Sequence, residues 1–404
     1  MDFDSTDFPL RPAWTEIDLG KLRRNLQLIR RDLPQRVQLL AVTKDEAYGH
    51  GALDVARIAI EEGAWGFGLS TLEEAMALRD AGITAPLLLL GERQEAELPW
   101  CVEHGLTVCV NEPHTVRKLA RAAAAANKRV PVHVKIHTGM SRFGVRWDEA
   151  LPLIELIGSE KSLQLEGAMT HFAQSDETDK AFANLQFSRF NEVLQGMAAR
   201  GVPVKWRHAC NSGGFLDLPH AHLDMVRVGI LMYGVFPSSV CRRIPGIEPV
   251  MSVKARIAAI QKLKPGEVVG YGMRYTAPTE RRIAVLPIGY GDGFPRVRNT
   301  GGALIHGRRA PLIGGIAMDA LMVDITDIPE AQMWDEAVIM GRQGNEEITV
   351  HDIAKLKNSV SYEVLTSWRL RLRRKSVNHS KHDATPIARS ITGSTPAESI
   401  PVHS

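Results

Sequence analysis

The sequence predicts an α/β chain: an N-terminal (β/α)8 barrel of the TIM type, followed by a C-terminal, mostly-β domain. Eight apolar runs of strand length recur over about 230 residues, as a closed barrel requires. Helical patterns separate most of them. Near Pro249 the pattern changes to short apolar runs broken by Gly and Pro, with few helices.

After Thr15-Glu16-Ile17-Asp18 comes a helix whose Leu22, Leu26 and Ile29 share one face. The expected strands are Leu39–Val42, Trp65–Gly68, Pro86–Leu90, Thr107–Val110, Val132–Ile136, Leu165–Met169, Lys205–His208 and Met225–Gly229. Thr71 with Glu74 forms a capping box, and Gly82 closes the helix it opens. Gly63 and Gly105 close two others. A doubly wound open sheet is the competing architecture, and the count of eight strands favours the barrel. Further on, Val268–Gly272, Ile283–Ile288, Ala303–Ile305, Met322–Ile325 and Ala337–Met340 read as short strands, before a helix over His351–Leu356. The basic run Arg369–Lys375 reads as a solvated or interface strand rather than a nucleic-acid patch. The expected division is a barrel over residues 14–245 and a β domain over 246–377, joined by the N-terminal segment 1–13. Residues 378–404 are rich in Ser, Thr, His and Pro, have little to bury, and are expected to be disordered.

The chain has 404 residues, is 44% apolar and 24% charged, and carries a formal charge of +3. That composition suits a globular protein with a sizeable core, and it suggests neither nucleic acid nor membrane as a partner. No apolar stretch approaches membrane-spanning length. The acidic N-terminus carries no secretory pattern. Four cysteines without a CxxC pair are no disulfide scaffold. The cytoplasm is the expected compartment.

The first chemical signal is Thr43-Lys44-Asp45-Glu46-Ala47-Tyr48-Gly49-His50-Gly51, directly after the first strand. Catalytic residues gather at that end of a barrel. A lysine desolvated there can have a lowered pKa and form a Schiff base. Alone, Lys44 reads first as an ordinary strand-end lysine. Other polar groups also follow strands: His171, His208 with Asn211 and Ser212, and Arg227 with Gly229 and Ile230. A plain helix cap accounts for Ser212, core histidines for His171 and His208, and a salt-bridged barrel arginine for Arg227. Zinc is the other reading of the histidines, but no third ligand at metal-site spacing is apparent.

Taken together, these segments resemble the alanine racemase family. The match includes Ile17-Asp18 with Asn25, the Lys44 segment, Lys135-Ile136-His137-Thr138-Gly139-Met140-Ser141-Arg142-Phe143-Gly144 and Thr170-His171-Phe172-Ala173. It continues through His208-Ala209-Cys210-Asn211-Ser212, Arg227-Val228-Gly229-Ile230, Gly270-Tyr271-Gly272, Gly289-Tyr290-Gly291-Asp292-Gly293, Met318-Asp319 and Ser361-Tyr362-Glu363. It departs from the family's usual residues at Thr43, Asp45 and Glu46, and His137 stands where an Asp is usual.

The resemblance implies pyridoxal 5'-phosphate carried on Lys44, with Arg227 against its ring nitrogen. It implies a phosphate site built from Tyr48, Ser212, Gly229, Ile230 and Tyr362, beside Asn211. His171 and His208 would form a hydrogen-bonded chain through Arg227. Tyr271 would be the second base, serving the L-isomer while Lys44 serves the D-isomer. Arg142 and Met318 would hold the substrate carboxylate. Lys135 would be the residue that carries a carbamate in many relatives, and Tyr290 with Tyr362 would narrow the entrance. Tyr271 and Met318 would come from a partner chain, in a homodimer with shared sites. The implied reaction interconverts L- and D-alanine, with no metal. A racemase of larger amino acids, a non-enzymatic cofactor carrier and a cofactor-dependent decarboxylase are the alternatives.

Overall fold

A computed structural model describes residues 11–368 and 371–378. The eight expected barrel strands are all present: Gln38–Val42, Gly66–Leu69, Leu87–Leu89, Thr107–Val110, Val130–His137, Leu163–Met169, Trp206–His208 and Met225–Val228. They pair in parallel, in chain order, and the eighth returns to the first, Val226 opposite Leu39. The seam between the seventh and eighth is thinner. Asp224 N donates to Arg207 O at 3.1 Å and Arg227 N to Cys210 O at 2.9 Å, which nearly closes the ring. Inside it, Leu40, Leu88, Cys109, Met169 and Met225 form a buried layer beneath the strand ends.

The helices start and stop where side-chain chemistry tells them to. Asp18 caps Leu19–Asp32 by accepting Lys21 N at 2.9 Å, and Leu22, Leu26 and Ile29 are buried against the barrel. Asn25, on the same buried face, donates to Met232 O and Glu248 O at 3.1 and 2.8 Å. It ties that helix to the chain leaving the barrel. The Thr71–Glu74 capping box is formed. Gly63, Gly82 and Gly105 end their helices at φ of 80°, 82° and 59°, where a Cβ is strained.

The second unit is built on a sheet in the order Arg308–Pro311, Gly302–Ile305, Glu336–Gln343, Met251–Arg256, Ala13–Asp18, Arg373–Val377. Ala13–Asp18 therefore lies in the β sheet, antiparallel to Met251–Arg256 and parallel to Arg373–Val377. Its alternation of buried and half-buried residues is that of a strand with one covered face. A three-stranded sheet, Ala259–Leu263, Arg281–Leu286 and Leu321–Asp324, completes the unit. The run Val268–Gly272 is a strand only at Val268–Val269. Gly270, at φ 69°, turns the chain, and Tyr271–Met273 is a short turn. Within the basic run, Arg374 Nε donates to Gly49 O at 3.0 Å, clamping the last strand to the barrel. Of the tail beginning at residue 378, only Asn378 lies within the described residues. No helix among the described residues is long and apolar enough to cross a membrane.

Candidate active site

A cavity of about 800 Å³ opens at the C-terminal ends of the barrel strands. It is lined by Lys44, Tyr48, Lys135, Arg142, His171, Asn211, Ser212, Arg227, Gly229, Ile230 and Tyr362, among others. Eleven residues singled out from the sequence thus converge on one space. Four cations line it against Asp45 and Glu363, apart from Arg93. Such a site favours anionic ligands.

Lys44 enters the cavity from an unusual turn. Asp45, Glu46, Ala47 and Tyr48 all have φ between 52° and 56°, a left-handed turn made without glycine. Each such residue costs about 1–2 kcal/mol, so other contacts must hold it. Thr43 O accepts Ala47 N at 2.9 Å, and Asp45 O accepts Gly49 N at 3.0 Å. The Glu74 carboxylate accepts Asp45 N at 2.6 Å while also accepting Ser70 N and Thr71 N. Arg374 reaches Glu46 at 3.3 Å. Two of the departures from the family pattern, Asp45 and Glu46, thus lie within this clamp. Burial, and then Arg142, lower the Lys44 pKa from its ordinary value, against opposing pulls from Glu74 and Asp45. Glu74→Ala is expected to destabilise the fold by about 2–3 kcal/mol, since a charge-assisted acceptor of three amides is lost. The denaturant midpoint measures this, and an unchanged midpoint would show that the turn holds itself.

Across the cavity, Ser212 Oγ accepts Gly229 N at 3.1 Å. Asn211, not Ser212, caps the short helix Ser212–Asp217, its Oδ1 accepting Gly214 N at 2.9 Å. The Ser212 hydroxyl is thereby left on the cavity side rather than used as the cap. A Cβ on Gly229 would lie 2.8 Å from Tyr48 Oη, so glycine is required for this close approach. Tyr48 packs against Tyr362 with ring centroids 6.1 Å apart, and burial raises the Tyr48 pKa, keeping the phenol a donor. The hydroxyls of Tyr48, Ser212 and Tyr362 around the close approach at Gly229 make a cradle suited to a phosphate.

Arg227, near the end of the eighth strand, is buried at the cavity wall. Its guanidinium donates to the carbonyls of Thr170, His208 and Ala209 and to the Nδ1 atoms of His171 and His208. Arginine only donates, so both histidines carry their protons on Nε2 and are neutral. Burial is the first cause that pushes both well below the ordinary histidine pKa, and Arg227 adds to it. His208 Nε2 therefore donates to His133 Nδ1 at 2.9 Å, and His133 Nε2 lies 3.5 Å from Glu166. Burial lowers the Arg227 pKa to about 10, so it remains a cation at neutral pH. His133 and Glu166 are not among the residues that the sequence motifs single out. The one signal for them in the sequence is His133, Lys135 and His137 at alternate positions of an apolar strand, which puts three polar groups on the barrel interior. Gly167 makes room, since a Cβ there would meet the His133 ring at 2.7 Å.

Lys135 donates to Leu90 O at 2.8 Å and sits over the Phe143 ring. Burial is the main cause that lowers its pKa, to about 8. Tyr271 and Met318 do not line this cavity. They lie in the β domain, 82% and 52% exposed. Tyr290 borders a second cavity that shares Glu363 and Thr366 with the first. Among the described residues no group of three or more His, Cys, Asp or Glu is placed to hold a metal ion.

Two family models cover nearly the whole fold: "Alanine racemase, N-terminal domain" matches residues 17–237, and "Alanine racemase, C-terminal domain" matches residues 250–376. The chain belongs to the alanine racemase family. It is 40% identical over 367 residues to the alanine racemase of Carboxydothermus hydrogenoformans, covering 90% of this chain and 99% of that one. The solved alanine racemase of D-cycloserine-producing Streptomyces lavendulae superposes with a TM-score of 0.88 at 32% identity, over 94% of this chain and all of that one. A histidine racemase of Leuconostoc mesenteroides superposes with a TM-score of 0.84 at 27% identity, over 93% of this chain and all of that one. The chain is thus an enzyme, an amino-acid racemase of the alanine racemase family. The match extends through the β domain, so the reading as a carrier without that domain falls away.

Proposed function

We propose that the enzyme interconverts L- and D-alanine with pyridoxal 5'-phosphate. The observation that carries this reading is the meeting, in one cavity, of a lysine of lowered pKa, a buried arginine cation and a hydroxyl-lined cradle. The cradle at Gly229 fits a phosphate, and Tyr48, Ser212, Gly229, Ile230 and Tyr362 would hold it. Lys44 would hold the cofactor's carbonyl end. Bound there, the cofactor supplies an electron sink for the substrate Cα. Arg227, fixed by five hydrogen bonds, is a standing cation that would keep the cofactor's ring nitrogen unprotonated if the two are neighbours.

Racemisation removes a proton from one face of Cα and returns one to the other. Lys44 Nζ moves the proton on one face. Tyr271 Oη moves it on the other, each acting as acid when the other is base. Arg142 anchors the substrate carboxylate, with Met318. Because Tyr271 and Met318 are exposed and do not line their own chain's cavity, they would serve the site of a second copy. The working unit is a homodimer with two shared sites, and the strand Ala13–Asp18 counts with the β domain rather than the barrel. The expected compartment is the cytoplasm. A chiral assay across a panel of L-amino acids tests the substrate. D-alanine as the fastest product supports the reading, and faster racemisation of histidine would favour the larger-substrate alternative, to which the histidine racemase likeness points.

Lys135 is the residue to carry a carbamate on this reading. Only a neutral amine takes up CO₂, and Lys135 loses its proton near pH 8. Enzyme stripped of CO₂ should regain activity on adding bicarbonate, more completely above that pH than below it. Indifference to bicarbonate at both pH values would leave Lys135 as an unmodified amine.

A further inference from the structure

We propose that His137 is a positioning residue for Arg142, its neutral imidazole fixing the turn that aims the guanidinium into the cavity. The inference rests on reading Arg142 as the carboxylate anchor. The fifth strand ends at His137, and the chain then turns through Gly139 at φ 154°, Ser141 at 55° and Gly144 at 122°. Ser141 is strained there, because its Cβ crowds the backbone. His137 Nδ1 accepts Gly139 N at 3.1 Å and Ser141 N at 3.2 Å, and its Nε2 lies 3.4 Å from Ser141 Oγ. A nitrogen that accepts two amides carries its lone pair, so the proton is on Nε2 and the ring is uncharged.

The two ends of the turn are held differently. Thr138 is anchored by Arg189, which donates to its carbonyl at 2.8 Å, and by Thr170 Oγ at 2.7 Å from its hydroxyl. Gly139 has no room for a side chain, since a Cβ there would meet the Phe182 ring at 2.8 Å. Ser141, which immediately precedes Arg142, is held by the His137 ring. No ion pair among the described residues fixes the Arg142 guanidinium, which lines the cavity beside Lys44 and Lys135. Beside any carbamate on Lys135, its aim depends on the backbone, and the backbone depends on an acceptor at position 137. Asn or Asp can supply such an acceptor through an Asx-type turn, whereas Leu cannot.

The test compares His137→Leu, His137→Asn, His137→Asp and, as reference, Arg142→Gln. Two quantities are read on the holoenzyme: KM against kcat for racemisation, and the calorimetric dissociation constant of propionate, a carboxylate with no reacting amine. His137→Leu should raise KM and the propionate constant by roughly 10–100-fold, the scale of a misplaced binding group. Its kcat should stay within about threefold of the parent, and His137→Asn and His137→Asp should bind propionate within about threefold of it. If Arg142→Gln binds propionate normally, the reading of Arg142 fails and the proposal falls with it. If Arg142→Gln weakens binding and His137→Leu does not, the positioning role alone is wrong. Should His137→Leu fail to fold, loss of propionate binding in the Asn or Asp variant overturns the role equally.

Discussion

Replacing Lys44 by alanine is expected to lower racemisation by about 10⁴-fold or more, because one residue supplies both the covalent hold on the cofactor and the base on one face. In the direction in which Lys44 is the base, from D- to L-alanine, activity should fall as pH falls through the Lys44 pKa. The amine works as a base only when deprotonated. Burial and Arg142 both lower its pKa, so the acidic limb of the profile should sit below the ordinary lysine value. Borohydride reduction of the holoenzyme followed by peptide mapping should place the cofactor on the Lys44 peptide. A label on Lys135, the other lysine lining the cavity, would overturn the assignment.

Tyr271→Phe is expected to reduce racemisation by about 10²–10⁴-fold while leaving cofactor binding intact. Tyr271 is 82% exposed and lies in a β-domain turn away from its own chain's cavity. Losing its hydroxyl should therefore change the stability of the single fold by no more than about 0.5 kcal/mol. The remaining base, Lys44, should still exchange the Cα proton of one enantiomer with solvent deuterium. Retained exchange should favour D-alanine over L-alanine. Equal exchange into both enantiomers, or near-normal racemisation, would leave Tyr271 as a turn residue.

Much of the barrel was legible because local signals agree with the global fold. Glycines stop the helices, capping residues start them, and the eight strands are dense apolar runs. The β domain was harder. Ala13–Asp18 and Met251–Arg256 alternate cleanly, but nothing local says that they pair across more than 230 residues of intervening chain. Val268–Gly272 looks like one apolar run, and the positive φ of Gly270 ends it early. At the site, residue identities were readable and their geometry was not. The left-handed turn at Asp45–Tyr48 contains no glycine, so propensity argues against it, and contacts from Glu74 and Arg374 far along the chain hold it. The His208–His133–Glu166 continuation behind Arg227 depends on strand register, which sets Gly167 opposite His133. The role of Asn211 as the cap, which leaves the Ser212 hydroxyl on the cavity side, likewise needed the backbone to be seen.

The central claim is that Lys44 of one chain and Tyr271 of another work the two faces of one substrate. Mixing Lys44→Ala and Tyr271→Phe chains after dissociation tests it most directly. Each variant alone is nearly inactive, but a mixed dimer has one site with both residues intact and one with neither. Random pairing then predicts recovery to about a quarter of wild-type activity, since half the dimers are mixed and half their sites are whole. Activity that stays at the level of the separate variants, in a sample where mixed dimers are shown to have formed, would contradict the shared site.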